Sequence, residues 1–346
     1  MLINKKNPHG GDVYSNKIEM DYSANINPFG MPEEITEAAF RAVSDCANYP
    51  DPYCTALRNK LSASEGVPFE NILCGNGSAE LIYSFAFTLP KDRPALIIAP
   101  AFQEYADSLA AAGIEADYYI LSADNGFRLT DEFLKKDLSG YSAVYLCSPA
   151  NPTGALTAPE IVQQIAASSV RMMPDLSFLD LTEDPKVYDI PLLCSQYPNV
   201  AVLRSFTKNF ALAGLRLGYV LSSDADFLEE MSEKAQCWNV STPAQAAGCA
   251  ALDNMEWLAE CVRRLTAERE RVSAELTALG IQVFPGAANF LLLYSDINLC
   301  EKLLERGIMI RDCSNYIGLG KGFVRIAIRT KEENDRLLAA VREVLK

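Results

Sequence analysis

The chain has 346 residues and a net charge of −14, with 49% hydrophobic and 22% charged residues. This length favours two domains, and the composition is that of a globular protein rather than a disordered or fibrous one. The strong negative charge argues against nucleic acid or an anionic membrane as the main partner, so any anion site must be a local cluster of cationic side chains and backbone N–H groups.

Ten cysteines and one histidine restrict the chemistry that the chain can perform. No two cysteines have the C-x-x-C spacing, so we expect no metal site. The start, M-L-I-N-K-K-N-P, is too short and polar for a secretion leader. No window reaches the roughly 18 apolar residues that a membrane span needs. These features predict a cytoplasmic protein whose thiols are reduced.

Residues 1–30 are predicted to form an N-terminal arm. His9, which two glycines follow, could be an ordinary surface residue of this terminus. The stretch Asn25–Gly30 is rich in turn-forming residues. Helices are predicted over Met31–Ala47, which has a proline in its first turn, and over Thr55–Glu65.

Apolar strands and helices alternate in the next part of the chain. A short strand precedes Gly75, and further strands are predicted at Ala95–Ala99, Ala143–Cys147, Val170–Met173, Val200–Leu203 and Leu217–Leu221. Helices are predicted at Phe102–Ala112 and Pro159–Ala167. This alternation predicts a largely parallel sheet with helices on both faces.

Several polar or glycine-rich segments follow directly after these predicted strands. They are Gly75–Ser78, Phe102, Asn151, Asp175 and Ser205–Lys208. Ligands of such sheets bind beyond the carboxyl ends of the strands, so the coincidence predicts one shared site. The glycine turn before a helix suits an anion, although it matches neither the dinucleotide nor the Walker pattern.

The pattern changes after residue 242. A long helical stretch over Pro243–Leu279 is followed by shorter elements. Strands are predicted at Ile281–Phe284, Asn289–Tyr294, Ile308–Arg311 and Gly322–Arg329, and helices at Leu299–Arg306 and Glu332–Leu345. We therefore predict an arm over residues 1–30, a large domain over 31–242 and a small α+β domain over 243–346.

The stretch S-F-T-K-N-F-A-L-A-G-L-R-L-G-Y, from Ser205 to Tyr219, carries the clearest chemical signal. Lys208 lies among small and hydroxyl residues, and a buried lysine tends to lose its proton and can then attack a carbonyl. Arg216 lies in apolar sequence and offers a guanidinium that suits phosphate. Both could be ordinary surface charges. If they are buried, they indicate pyridoxal phosphate held by Lys208 as a Schiff base.

The order of motifs then supports a family. N-P-T-G, D-x-x-F, S-F-T-K, R-L-G-Y and an arginine-bearing last strand resemble the class I/II aminotransferases of fold type I, from Tyr22 to Arg329. These are α/β enzymes with a large cofactor-binding domain, whose mostly parallel sheet is covered by helices, and a smaller α+β C-terminal domain. Within this superfamily, H-G-G, D-Y-S-A-N-I-N-P-F-G, P-A-F-Q-E-Y, R-D-C-S-N-Y and F-V-R-I-A-I-R-T most resemble the threonine-phosphate decarboxylases of cobamide biosynthesis. The histidinol-phosphate aminotransferases are the sister group.

The resemblance implies roles toward pyridoxal 5′-phosphate. Lys208 resembles the lysine that forms the Schiff base and moves the proton, and Asp175 the carboxylate that keeps the pyridine nitrogen protonated. Asn151 resembles the donor to the ring hydroxyl, and Phe102 the aromatic residue that stacks on the ring. The residues that resemble the binding site of the cofactor phosphate are Gly77, Ser78, Ser205, Thr207 and Arg216, joined by Tyr49 from the other subunit of a homodimer.

The resemblance also implies a site for a small phosphorylated amino acid. Arg325 resembles the arginine that binds the substrate carboxylate. The groups that resemble the holders of the substrate phosphate are Arg311 and His9, with Asn27 and Arg329 nearby. Many relatives have a tyrosine at position 178 that bonds the ring hydroxyl, and Phe178 cannot do so.

The reaction that we expect is decarboxylation of O-phospho-L-threonine to (R)-1-aminopropan-2-yl phosphate, or of O-phosphoserine in the same way. The bond to the α-carbon that lies perpendicular to the cofactor ring is the one that breaks, and the sequence does not fix that orientation. An aminotransferase of the histidinol-phosphate or aromatic type is therefore the alternative. A regulatory binding module is a third possibility, but such modules are usually fused to a DNA-binding segment, for which this chain has no basic region.

Overall fold

A computed structural model describes residues 9–15 and 18–346 of the chain. In these ranges the helices are α1 (Glu33–Ala42), α2 (Thr55–Glu65), α3 (Gly77–Thr88), α4 (Gln103–Ala112), α5 (Pro159–Ala166), α6 (Ile190–Gln196), α7 (Ala225–Glu233), α8 (Thr242–Leu252), α9 (Met255–Ala278), α10 (Leu299–Leu304) and α11 (Lys331–Val344). The strands are β1 (Met20–Asp21), β2 (Ile72–Gly75), β3 (Ala95–Ala99), β4 (Ala116–Ile120), β5 (Ala143–Cys147), β6 (Arg171–Asp175), β7 (Val202–Ser205), β8 (Gly218–Leu221), β9 (Gln282–Phe284), β10 (Phe290–Tyr294), β11 (Ile308–Met309), β12 (Arg311–Asp312) and β13 (Phe323–Ala327).

The large sheet has the strand order β2-β8-β7-β6-β5-β3-β4. The strands from β7 to β4 pair in parallel, and β8 runs antiparallel to both of its neighbours. The predicted α/β fold with a largely parallel sheet is therefore confirmed.

Side chains of the large sheet are buried on both faces. In β3, Leu96 and Ile98 pack into one core cluster, whereas Ala95 and Ile97 pack into another with helices α3, α4 and α7. Helices α2, α5, α6, α8 and α9 contribute to the first cluster. Because both faces are covered, the central strands have continuous apolar sequences instead of alternating ones, which is why the sequence located β3 and β5 without error.

The second sheet is antiparallel and has the order β12-β13-β10-β9. Helix α9 packs against β9 and β10, and α11 packs against α9 and α10. The smaller α+β unit is thus confirmed. Strand β1, from the predicted arm, pairs in parallel with β11 and so joins the arm to this part of the chain. The domain boundaries at residues 30 and 242 stay predictions.

Two predicted elements are divided in the structure. The helical stretch Pro243–Leu279 is interrupted at Asp253–Asn254, because Asp and Asn side chains compete with the helix for backbone hydrogen bonds. The strand predicted at Ile308–Arg311 is two short strands with different partners, since β11 pairs with β1 and β12 pairs with β13.

Strand β4 and helix α6 were not predicted from the sequence. Strand β4, A-D-Y-Y-I, lies at the exposed edge of the sheet and lacks a continuous apolar run. Helix α6 has seven residues, which is too short for a clear period, and its N-cap Asp189 accepts a hydrogen bond from the Leu192 N–H. No helix in the described part of the chain combines the length and apolarity needed to cross a membrane.

Gly218 allows the start of α3 to approach the sheet closely. A Cβ atom at this position would lie 2.7 Å from the backbone nitrogen of Ser78 and 3.1 Å from the carbonyl oxygen of Arg204. Both neighbours are backbone atoms, which cannot move aside cheaply. The glycine therefore fixes how near the N-terminus of α3 comes to β7 and β8.

We predict that Gly218→Ala destabilises the protein by about 1–3 kcal/mol, as overpacking of a tight interior usually does. Thermal and urea unfolding, each followed by circular dichroism, would measure the change. Gly140→Ala is the matched control, because a Cβ atom there meets nothing within 4 Å. Equal stability of the two variants would contradict the importance of this close approach.

Candidate active site

A cavity of about 240 Å³ lies at the carboxyl ends of β5, β6 and β7. The small sheet and the N-terminal arm complete its wall. Among the residues singled out from the sequence, those in this wall are His9, Ser78, Phe102, Asn151, Asp175, Ser205, Thr207, Lys208, Arg216, Arg311 and Arg325. Segments that are far apart in sequence therefore meet at one place, as the strand ends indicated.

Two of the predicted cofactor-binding residues lie outside the cavity wall. Gly77 opens α3 with a φ of +81°, and a Cβ atom there would lie 2.5 Å from Nη2 of Arg216, so it is packed against that guanidinium. Tyr49 is 77% exposed and stacks on Trp238, with ring centroids 4.3 Å apart. Within this chain, Tyr49 is a surface residue.

Asn27 also lies outside the cavity wall, behind Lys208. Its backbone N–H donates to the Lys208 carbonyl at 3.0 Å, and its side-chain amide donates to the Asn209 carbonyl at 2.9 Å. Its Oδ1 accepts from the Phe29 N–H at 3.1 Å. Asn27 therefore supports the backbone that carries Lys208, and both polar ends of its side chain already have hydrogen-bond partners.

Arg329 is the fourth predicted residue that the structure does not bring into the wall. Its guanidinium donates two hydrogen bonds to Oε1 of Glu333, at 2.6 and 2.9 Å, and one to the Asp21 carbonyl at 3.0 Å. Glu333 belongs to the first turn of α11 and closes a capping box with Thr330. Arg329 is thus neutralised locally, at the start of a helix.

Lys208 is surrounded by positive charge. Burial and the nearby guanidinium groups of Arg325 and Arg216 lower the pKa of Lys208 to about 8, and Asp21 partly opposes this effect. An ordinary lysine has a pKa of about 10.4, so the neutral amine is far more abundant here near neutral pH. This amine can act as a nucleophile toward an aldehyde or as a base.

Asp175 ends strand β6 and is 6% exposed. The Tyr105 hydroxyl donates to its Oδ2 at 2.5 Å, and the Ser177 N–H donates to its Oδ1 at 2.9 Å. Burial raises the pKa of Asp175, while the donors from Ser177 and Tyr105 act in the opposite direction. The sequence reasoning did not select Tyr105 or Ser177. The available signal was that Tyr105 follows Phe102 by three residues on a predicted helix and so shares its face.

One end of the cavity suits a phosphate. Ser78 of α3, Ser205, Thr207 and Arg216 lie together at the positive N-terminal end of a twelve-residue helix. Arg216 donates to the Ala213 carbonyl at 3.2 Å. In the described ranges it forms no ion pair with a carboxylate. An anion bound here would supply the missing negative charge.

The other end contains two more arginines. Arg311 of β12 and Arg325 of β13 are directly opposite partners in the antiparallel pairing. Arg325 donates to Oδ1 of Asn151 and, at 2.6 Å, to the Ser23 carbonyl. Arg311 donates to Oδ1 of Asn315 at 2.9 Å. Two adjacent guanidinium groups in a small cavity suit a ligand with more than one acidic group.

His9 closes this end of the cavity from the arm. Its Nε2 lies 2.9 Å from Oε1 of Glu104, and its ring centroid lies 5.5 Å from that of Phe102. The hydrogen bond from His9 lowers the pKa of Glu104. Glu104 was not selected from the sequence, nor was Tyr316, which lines the cavity with its hydroxyl 3.5 Å from Oδ1 of Asn151.

These groups fit pyridoxal 5′-phosphate. The amine of Lys208 would hold its aldehyde carbon and the carboxylate of Asp175 its ring nitrogen. The guanidinium of Arg216, with the N-terminus of α3, would hold its phosphate. The aromatic ring of Phe102 would cover one face of the cofactor ring.

Comparisons with known proteins agree with this fit. A model of the family described as aminotransferase class I and II matches residues 17–341. A threonine-phosphate decarboxylase of Salmonella typhimurium is 38% identical over 334 residues, covering 94% of this chain and 91% of that protein. Histidinol-phosphate aminotransferase 2 of Archaeoglobus fulgidus is 32% identical over 336 residues, covering 96% and 94%.

A solved structure of similar fold is the histidinol-phosphate aminotransferase from Clostridium acetobutylicum. It superposes with a TM-score of 0.88 at 27% identity and covers 94% of this chain and 99% of that one. The fold, the cavity and these relatives lead to one conclusion. The chain belongs to the aminotransferase class I and II family and is an enzyme that depends on pyridoxal 5′-phosphate.

Proposed function

We propose that this enzyme decarboxylates a phosphorylated amino acid in the cytoplasm, converting O-phospho-L-threonine to (R)-1-aminopropan-2-yl phosphate. The observation that carries the proposal is the pair of opposed arginines, Arg311 and Arg325, beside Lys208. The substrate has both a carboxylate and a phosphate, so it needs two cationic groups at one end of the site. The similarity to a protein named threonine-phosphate decarboxylase points the same way.

The cavity volume favours a compact substrate. About 240 Å³ is below the roughly 300–1,000 Å³ typical of small-molecule sites, and the cofactor occupies part of it. At the α-carbon, O-phospho-L-threonine has a carboxylate where histidinol phosphate has a bulkier imidazolylmethyl group. The smaller molecule therefore fits more readily beside Phe102 and His9.

Each side chain of the site has a separate role in the proposed reaction. Bound pyridoxal 5′-phosphate supplies a ring that accepts electrons from the substrate α-carbon. Arg325 holds the carboxylate, while Arg311 and the imidazole of His9 hold the phosphate and so set the angle of the α-carbon bonds. The bond between the α-carbon and the carboxylate carbon breaks and CO₂ leaves. The Nζ of Lys208 then delivers a proton to the α-carbon, so that a C–H bond replaces the lost C–C bond.

Transamination is the second candidate. It is favoured by the 32% identity to a histidinol-phosphate aminotransferase over 96% of this chain. Lys208, with a pKa of about 8, is also suited to remove the α-hydrogen. The two reactions differ in their second substrate, because transamination needs a 2-oxo acid and decarboxylation does not.

With O-phospho-L-threonine as the sole substrate and no oxo acid, we expect sustained CO₂ release over many turnovers. L-Threonine should be a far poorer substrate, because it leaves the cations that bind phosphate without a partner. Released CO₂ and the phosphorylated amine would be quantified together, with Lys208→Ala as the control. If no CO₂ appears and the amino group passes to 2-oxoglutarate instead, the enzyme is an aminotransferase.

The lowered pKa of Lys208 gives a second prediction. With the cofactor removed, the rate at which Lys208 captures added pyridoxal 5′-phosphate should rise about tenfold per pH unit up to about pH 8 and then level off, because the neutral amine is the reactive form. Borohydride reduction of aliquots followed by peptide mass spectrometry would give the rate at Lys208. A rate that keeps rising toward pH 10 would show a lysine with an ordinary pKa.

We also propose that the active form is a homodimer in which Tyr49 reaches the cofactor phosphate of the partner. Tyr49 and Trp238 form an exposed aromatic pair, in which Trp238 is 46% exposed. Such a pair is typical of a surface that is covered in an assembly. Tyr49 does not line the cavity of its own chain.

Mixing variants tests this exchange. Tyr49→Phe should weaken cofactor binding roughly tenfold, by the loss of one hydrogen bond to a charged group. In heterodimers of Tyr49→Phe and Lys208→Ala subunits, one site then has both Lys208 and Tyr49, and its cofactor affinity should return to the wild-type value. Affinity would be measured by absorbance titration after the subunits have exchanged. No recovery in verified heterodimers would place Tyr49 in the site of its own chain or outside both sites.

A further inference from the structure

Tyr105 contacts two groups of the proposed cofactor site at once. It lies in α4, is 1% exposed and lines the cavity. Its hydroxyl donates to Oδ2 of Asp175 at 2.5 Å. Its ring meets that of Phe102 edge-on, with centroids 5.9 Å apart and an interplanar angle of 89°.

Asp175 needs donors if it is to stay ionised. A buried carboxylate without partners favours its neutral form, and hydrogen bonds to the anion oppose this. The Ser177 N–H and the Tyr105 hydroxyl are such donors, one to each oxygen. Each oxygen keeps a second lone pair that can accept the N–H of a protonated pyridine ring.

Two other titratable groups, Tyr105 and Cys147, face Asp175, and neither of them ionises in its place. Tyr105 approaches from α4 and Cys147 from β5, where Cys147 is the register partner of Asp175. Burial raises the pKa of both groups. Both are therefore neutral over the physiological range, and a negative charge in this cluster belongs to Asp175.

We propose that Tyr105 is a positioning residue that sets both protein contacts of the cofactor ring. Its hydroxyl holds the Asp175 carboxylate in place as an anion for the ring nitrogen, and its ring supports Phe102 against the face of the cofactor. This inference rests on the proposed roles of Asp175 and Phe102. It does not depend on whether the enzyme decarboxylates or transaminates its substrate.

The two contacts can be removed separately. Tyr105→Phe keeps the ring beside Phe102 and deletes only the donor to Asp175, whereas Tyr105→Leu deletes both. Tyr145→Phe is the matched control, since Tyr145 is also 1% exposed, its ring lies 5.3 Å from that of Tyr105, and in the described ranges the donors to Asp175 are Tyr105 and Ser177 rather than Tyr145. Asp175→Asn tests the role of Asp175 itself.

The measurement is the dissociation constant of pyridoxal 5′-phosphate without substrate, by absorbance titration from pH 5.5 to 9, with circular dichroism to verify folding. We expect Tyr105→Phe to bind roughly tenfold more weakly than wild type and Tyr105→Leu more weakly still. The affinity of Tyr105→Phe should also begin to fall at a higher pH on acidification, because Asp175 loses a donor to its charged form and its pKa rises. Tyr145→Phe should match wild type.

The outcomes distinguish a failure of this inference from a failure of the role proposed for Asp175. If Asp175→Asn weakens binding but Tyr105→Phe has the affinity and pH dependence of wild type, Tyr105 is not a positioning residue. If Asp175→Asn itself binds like wild type, the role of Asp175 is wrong and the inference falls with it. Equal losses in Tyr105→Phe and Tyr145→Phe would indicate a general packing effect and would also overturn it.

Discussion

The repulsion between Lys208 and two guanidinium groups governs the site. Arg216 lies toward one end of the cavity and Arg325 toward the other, and both lower the pKa of the lysine between them. Arg311 lines the same cavity, and four cations in so small a space are costly unless anions join them. A phosphate at Arg216 and an acidic group at Arg325 would remove that cost. A protein with a net charge of −14 can thus bind anionic ligands, because its positive charge is concentrated where the strands end.

Arg325 also connects three parts of the chain. It stands on β13 of the small sheet, donates to Asn151 after β5 of the large sheet, and donates to the Ser23 carbonyl of the arm. The arm is also joined to the C-terminal part of the chain, because β1 pairs with β11. A ligand that draws Arg325 away from Asn151 would therefore act on a contact between the two sheets, so the residue proposed to bind the carboxylate is also a structural link.

The sequence predicted those features that depend on local pattern. Apolar runs located the central strands, and the residues that follow them are in the cavity wall, because parallel strands bring their carboxyl ends to one edge. Partners that are distant in sequence were not predictable in this way, as with Tyr105 and Asp175, which are 70 positions apart. Asn27 and Arg329 show a second limit, which is that residue type alone does not reveal the local partners of a side chain. Their residue types suit a phosphate, but nearby groups engage them, and Arg329 pairs with Glu333 only four residues later.

The proposed reaction places different demands on the two acidic ends of its substrate. The carboxylate leaves as uncharged CO₂, so its attraction to Arg325 weakens as the bond breaks. A contact that is stronger in the ground state than in the transition state slows a reaction. Arg325 is therefore best used for orientation, and most of the binding energy should come from the phosphate, whose charge does not change. In the proposed reaction, Arg311 and His9, which belong to different parts of the chain, would hold that phosphate throughout.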